Sequence, residues 1–150
     1  LLKKLLADPF FNKTPPKSTG RDDFHMDWLL ENIGNTNILP EDVQATLLHL
    51  SVHAALDALA RYAPQTQKLI TCGGGAQNTA LMNLLKVKAQ YLCPELAEIT
   101  TSDSVGIHPQ LVEGLAFAWL AWAHKQKRPA NLPAVTGAKG PRILGACYPA

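Results

Sequence analysis

Strong charge of one sign, paired cysteines and long apolar runs are all missing from these 150 residues, and each absence closes off a class of function. Fourteen basic against twelve acidic residues leave a formal charge of only +2. No arginine-rich run or aromatic-interleaved basic patch adds to it, so nucleic acid is not an expected partner. The three cysteines, Cys72, Cys93 and Cys147, are far apart and odd in number. They lack the paired spacing of a zinc site, which predicts free thiols and no metal held by protein ligands alone. With no signal-peptide pattern at the start, they also predict a reducing, cytoplasmic setting. The longest apolar stretch, Leu111 to Ala123, is interrupted by Glu113 and is too short to span a bilayer, so no membrane is expected either. His49 and His53 stand four apart, but Leu50 follows the first where the metalloprotease pattern needs Glu. In line with Asp42 and Asp57, they read as a hydrated helix face.

What the chain does contain is three consecutive glycines at a strand-to-helix junction. Lys68-Leu69-Ile70-Thr71-Cys72 is a short apolar run, Gly73-Gly74-Gly75 follows, and a helical pattern begins directly after them. Glycines there let the backbone turn tightly and let a ligand approach without Cβ interference, and the following helix N-terminus favours a phosphate. Close packing of helix on strand is the alternative reading. The spacing is not that of a P-loop, because Ala76-Gln77 replaces Lys-Ser/Thr, and a Rossmann fingerprint would need glycine where Asn78 stands. Asp103 after Glu98-Ile99-Thr100-Thr101 keeps a dinucleotide reading open, although two or three strands are too few for a complete doubly wound sheet.

A helix tail is expected over Leu1–Ala7, and a rigid extended connector with three prolines over Asp8–Gly20. A helix over Asp22–Asn32 follows, capped by Ser18, Thr19 or Asp22. Lys17, Ser18, Thr19 and Arg21 at its start either meet an anionic ligand or form a solvated turn. A long helix over Pro40–Tyr62 is apolar almost all round, as in a sheet-covering layer or a subunit interface. Asn78 is positioned to cap the next helix, and Ala97–Thr101 completes a β-α-β unit whose carboxyl edge carries the glycines. The last strong helix is expected over Pro109–Lys127, stopped by Pro129. Glu113 lies on its stripe with Phe117 and Leu120, where an unpaired buried carboxylate would be costly. Ile143–Cys147 reads as a helix turn or a final strand. With 47% hydrophobic and 17% charged residues the chain is an ordinary globular one, a single domain or a large piece of one. It opens Leu1-Leu2-Lys3-Lys4 without methionine and reads as the C-terminal portion of something longer.

Several phrases, in order, resemble the anhydro-N-acetylmuramic acid kinase family. They are Pro-Lys-Ser-Thr-Gly-Arg-Asp-Asp-Phe from Pro16, Pro-Glu-Asp-Val-Gln-Ala-Thr-Leu from Pro40 and Cys-Gly-Gly-Gly-Ala-Gln-Asn from Cys72. Thr-Thr-Ser-Asp-Ser-Val-Gly-Ile from Thr100, Glu-Gly-Leu-Ala-Phe-Ala-Trp-Leu-Ala from Glu113 and Asn-Leu-Pro-Ala-Val-Thr-Gly-Ala from Asn131 complete the set. The resemblance covers nearly the whole chain and places it in the C-terminal half of such a kinase, as most of its second domain. It implies an α/β fold of the RNase H-like (actin-like ATPase) class, helix-rich, here with a short β-α-β unit. It also implies ATP-dependent opening and phosphorylation of 1,6-anhydro-N-acetylmuramic acid to N-acetylmuramic acid 6-phosphate in peptidoglycan recycling. ATP and Mg2+ would be bound mainly by residues outside this chain. Gly73, Gly74, Gly75 and Asn78 would face the nucleotide, and Glu113 would support the catalytic centre from the interdomain cleft.

Two segments of the family pattern have no counterpart here, the phosphate hairpin Gly-Thr-Ser-x-Asp-Gly and the catalytic-base segment Asp-x-Gly-Pro-Gly-Asn. The 150 residues alone are therefore expected to be inactive. Gly114 stands where the family usually has alanine, and Lys86–Cys93 fits the pattern poorly. The competing readings are a nucleotide- or dinucleotide-binding module without catalysis, and an interaction domain that forms a homodimer through its long helix.

Overall fold

A computed structural model describes residues 1–148. Its helices and strands, in chain order, are α1 (Leu2–Leu6), α2 (Pro9–Asn12), α3 (Met26–Ile33), α4 (Pro40–Tyr62), β1 (Lys68–Thr71), α5 (Thr79–Leu92), β2 (Glu98–Thr101), α6 (Leu111–Lys125) and α7 (Pro133–Thr136). The strands pair in parallel, with Lys68 opposite Glu98 and Thr71 opposite Thr101, and α5 makes the crossover between them. The β-α-β unit is thus present as expected, with no further strand among the described residues.

Apolar spacing explains the core. Val52 and Leu56 are one turn apart on α4, and Leu85, Ala89 and Cys93 recur every fourth residue along and just beyond α5. Helix positions four apart lie on one face, so the two stripes meet. Leu69 and Ile99 add one face of the sheet to this cluster. The alternation of strand side chains then leaves Lys68, Ile70 and their partners Glu98 and Thr100 on the other face. There Lys68 and Glu98 form an ion pair at 3.1 Å between half-exposed side chains, a contact of small energetic weight. A second cluster, Leu5, Leu29 and Leu50, joins α1, α3 and the first half of α4.

The amino-terminal third differs from expectation in two ways. The connector is not simply extended, because Asp8 accepts from the Phe10 N–H at 2.9 Å and Pro9 fills the first helical position of α2, both favourable at a helix start. The same carboxylate accepts from the Trp28 indole at 3.0 Å and ties α2 to α3. Helix α3 begins at Met26 rather than Asp22, capped by His25 Nδ1, which accepts from the Trp28 N–H at 3.3 Å. Asp23 is committed elsewhere, accepting from Thr19 Oγ1 at 2.7 Å and from the Gly20 N–H at 3.2 Å. The Thr19 hydroxyl chiefly, then the Gly20 N–H and the positive charge of Lys13, hold the Asp23 carboxyl below its ordinary value.

Helix α4 matches the expected span, but only Leu50, Val52 and Leu56 are buried along it. Its histidine stripe is also drier than a hydrated face, since His49, His53 and Asp57 are half-buried and the two rings lie 6.5 Å apart. Among the described residues no group of three or more His, Cys, Asp or Glu is placed to hold a metal, and no helix is long and apolar enough to cross a membrane. Ile143–Cys147 forms neither a helix turn nor a strand; the backbone there is anchored instead by its contact with α6, where His124 Nδ1 lies 2.8 Å from the Leu144 carbonyl.

All three cysteines are free thiols, as the sequence predicted, with Cys72 and Cys147 exposed and Cys93 buried. Burial, then the negative charge of Asp57, pushes the Cys93 thiol pKa up, and its Sγ donates to the Leu56 carbonyl at 3.4 Å. Thiolate is the reactive form. Iodoacetamide at neutral pH should therefore alkylate Cys72 and Cys147 in the native protein and reach Cys93 only after denaturation. Peptide mass mapping reads this directly, and equal labelling of all three under native conditions would contradict the packing of Cys93 against α4.

Candidate functional site

The carboxyl ends of β1 and β2 each run into a 3-10 turn, Gly74–Gln77 after the first and Ser102–Val105 after the second. The carboxyl edge of a parallel sheet is where open α/β folds take ligands. Here it is locked by the Thr71 hydroxyl, which donates to the Thr100 carbonyl at 2.9 Å. Gly73 leaves the strand at φ +73° and ψ −170°, a region essentially reserved for glycine. Gly74 and Gly75 belong to the 3-10 turn itself, which runs on to Gln77, so α5 begins at Thr79 and not directly after the glycines. Asn78 caps it as expected, with Oδ1 accepting from the Leu81 N–H at 3.1 Å.

The three glycines meet three different surroundings. Gly73 needs its backbone angle. A Cβ on Gly75 would stand 3.3 Å from Leu81 Cδ2, so that residue sits close against α5. A Cβ on Gly74 would meet nothing within 4 Å. Among the described residues the fold makes no steric demand for glycine at Gly74. The close-packing reading of the motif is met at Gly75, while Gly74 has open space around it.

A connection not visible in the sequence ties this turn to the start of α6. The Gly73 N–H donates to the Pro109 carbonyl at 2.9 Å, and Gln110 Nε2 donates to Gln77 Oε1 at 3.1 Å. Glutamines at that separation carry no spacing signal, because the contact exists only once both strands are paired. Ser102 is a second residue that sequence reasoning passed over. It is buried at the end of β2, and its hydroxyl has no hydrogen-bond partner among the described residues.

Glu113 lies in the first turn of α6, on a face that is wet although its apolar stripe-mates did not favour a wet one. Its side chain is exposed, and it makes no ion pair or hydrogen bond among the described residues. The physical reason is that its stripe-mates are uncovered as well, with Phe117 71% exposed and Leu120 half-buried. The helix itself is shorter than Pro109–Lys127, running Leu111–Lys125, because Gln110 begins it and Lys127 adopts a positive φ.

The loop residues go to separate tasks. Lys17 Nζ donates to the Phe10 and Phe11 carbonyls at 3.2 and 3.4 Å and sits 4.8 Å from the centre of the Phe10 ring. Thr19 serves Asp23. Ser18 and Arg21 are exposed and make no hydrogen bond among the described residues, and Ser18 borders a hollow of about 230 Å³ together with Asp8, Lys13 and Asp23.

These differences predict unequal effects on stability. Gly73→Ala should cost about 1–3 kcal/mol, the usual range for forcing a side chain into that backbone region. Gly74→Ala should stay within about 0.5 kcal/mol. Urea unfolding of the two variants checks this, and a Gly74→Ala loss equal to that of Gly73→Ala would show that the fold itself demands both glycines.

Comparison with known proteins identifies the family. The sequence profile of the family described as anhydro-N-acetylmuramic acid kinase matches residues 1–150. The protein of that name from Xanthomonas campestris pv. campestris strain 8004 is 47% identical over 150 residues, covering 100% of this chain and 38% of the relative. Its namesake from Pseudomonas paraeruginosa strain PA7 is 49% identical over 151 aligned positions, covering 100% of this chain and 40% of the relative. That from Coxiella burnetii strain Dugway 5J108-111 is 45% identical over 148, covering 99% and 38%. The chain thus spans about two fifths of the length of the curated relatives it matches. It belongs to the anhydro-N-acetylmuramic acid kinase family.

Proposed function

We propose that these residues form the C-terminal part of an ATP-dependent kinase that converts 1,6-anhydro-N-acetylmuramic acid to N-acetylmuramic acid 6-phosphate in peptidoglycan recycling. The observation that carries this reading is the uninterrupted family match over residues 1–150. The glycine turn is consistent with it, because a Cβ on Gly74 would meet nothing within 4 Å at the carboxyl edge of the sheet. In this reading the working enzyme is RNase H-like, acts in the cytoplasm, and closes two domains around nucleotide and sugar.

Gly74 admits the nucleotide, Gly73 sets the turn, and Gly75 fixes the turn against α5, with Asn78 holding the start of that helix. Phosphoryl transfer is mostly positioning and charge stabilisation, and Mg2+ supplies the latter when bound with ATP. The described residues do not gather three metal-binding side chains, so they do not fit a protein-only metal site. Phosphate oxygens and carboxylates outside this chain would hold the ion. Glu113 supports the sugar side of the centre, reached from α6, and the base that activates water belongs to the absent Asp-x-Gly-Pro-Gly-Asn segment. Ser18 and Arg21 are the members of the Lys17–Arg21 loop available to a substrate anion, while Lys17 and Thr19 hold the loop in shape.

One assay tests these assignments, sugar-dependent ADP release by the Xanthomonas campestris relative with its matched stretch replaced by this sequence. The hybrid should turn over, and the 150 residues alone should not. Gly74→Val should raise KM for ATP roughly tenfold, equivalent to about 1.4 kcal/mol. Glu113→Gln should lower kcat on the order of a hundredfold without loss of fold, the range for removing one group that stabilises developing charge. Normal ATP binding by a folded Gly74→Val variant would make the turn purely structural. Unchanged turnover for Glu113→Gln would leave that carboxylate a helix N-terminal charge, worth about 0.3–1 kcal/mol. Release of ADP by the 150 residues alone would overturn the assignment of the base to a segment outside them.

A further inference from the structure

Away from the glycine turn, a hollow of about 390 Å³ lies between the start of the chain and the second half of α4. Small-molecule sites span roughly 300–1,000 Å³ and are mostly apolar with a few polar groups. The α4 wall is one helical stripe, Ala54, Asp57, Ala58 and Arg61, spaced three and four apart. Its two alanines are too short to fill the space up to Leu6, Phe10 and Phe11, which line the hollow with them. The facing wall is held in place by its own bonds. Lys17 Nζ donates to the Phe10 and Phe11 carbonyls, and the Tyr62 hydroxyl donates to the Lys13 carbonyl at 3.3 Å. The end of α2 is thus fixed beside α4 without help from a ligand.

The charged groups of this hollow are unpartnered. Asp57 is half-buried and Arg61 is exposed. Although one turn apart on the same helix, they form no ion pair with each other or with any other described residue. Partly burying a carboxylate without a partner is costly. A lone anion in the hollow would face the charge of Asp57, and a lone cation would face Arg61 and Lys17. Residues four apart on a helix have Cβ atoms about 5–6 Å from each other, so a small zwitterion can meet both charges at once.

We propose that this hollow binds a free α-amino acid with a large apolar side chain. The ammonium meets Asp57, the carboxylate meets Arg61, and the side chain lies over Ala54 and Ala58 against Leu6, Phe10 and Phe11. An amino acid carries both charges on one carbon together with a single apolar substituent, which is the combination these walls complement. Helix α4 leads from the hollow to the amino end of β1, whereas the glycine turn leaves the carboxyl end of that strand. The ligand of this hollow is therefore not the nucleotide of the proposed reaction.

Calorimetric titration with L-phenylalanine tests this in the 150-residue chain and in the same hybrid. Both should bind it with a Kd on the order of 1 mM or tighter. Hydrocinnamate, which lacks the ammonium, and phenethylamine, which lacks the carboxylate, should each bind roughly tenfold more weakly, the loss of one charge contact. Asp57→Asn should erase the preference for phenylalanine over hydrocinnamate, and Arg61→Gln the preference over phenethylamine. Ala58→Leu, which fills the hollow, should abolish binding and leave Tm unchanged or higher. No binding to the short chain overturns the proposal. Binding to the short chain but not to the hybrid shows that the rest of the enzyme occupies the hollow, and overturns it as well. Hydrocinnamate binding as tightly as phenylalanine makes this a plain anion site, and affinities unchanged in both charge variants place the ligand elsewhere; either result is fatal. No readout involves phosphoryl transfer, so the outcome is independent of the proposed reaction.

Discussion

Leu56 has no exposed surface, and the position of the glycine turn depends on the contact it makes between α4 and α5. Helix α5 carries the turn at its amino end and the lead into β2 at its carboxyl end. Once Leu85, Ala89 and Cys93 are seated against Val52 and Leu56, the two strands are brought side by side. Parallel pairing then places both carboxyl ends at one edge, and Thr71 closes that edge on Thr100. Interiors pack at near-crystalline density, so a shift of α5 on α4 would pass to the turn with little loss.

The other half of the arrangement is less constrained. Pro109 and Gln110 tie the start of α6 to the glycine turn, but the body of the helix has few neighbours and carries its apolar side chains largely uncovered. This contrast separates a part with its own buried core from a helix that is largely exposed. The β-α-β unit under α4 has its own core. Glu113, Trp119 and Trp122 are among the exposed side chains of α6. A carboxylate in water is an ordinary surface charge, whereas one enclosed by packed protein would act through a far lower dielectric.

The amino-terminal region shows how small polar contacts redirect a chain of ambiguous propensity. Asp8 and Pro9 convert part of a proline-rich connector into a turn of helix, and Asp23 holds the following loop through Thr19 and Gly20, leaving His25 to cap α3. Lys17, which as a cation near a helix start suggested an anion site, instead satisfies the carbonyls at the end of α2.

What the sequence determined by itself was everything carried by spacing and local chemistry. The span of α4 follows from Pro40 and the apolar pattern behind it. The two strands follow from short apolar runs, the cap of α5 from Asn78, and the family from phrases distributed along the whole chain. Cys93 as a free thiol was legible, but its burial and raised pKa were not. Only the tertiary structure decided which glycine is structural and which is open, because that depends on a backbone angle at Gly73 and a neighbour, Leu81, supplied by α5. The same holds for the Gln77–Gln110 link, the unpartnered Ser102 hydroxyl and the exposure of Glu113. Helical periodicity says which residues share a stripe, but whether that stripe meets protein or water is fixed by what packs against it.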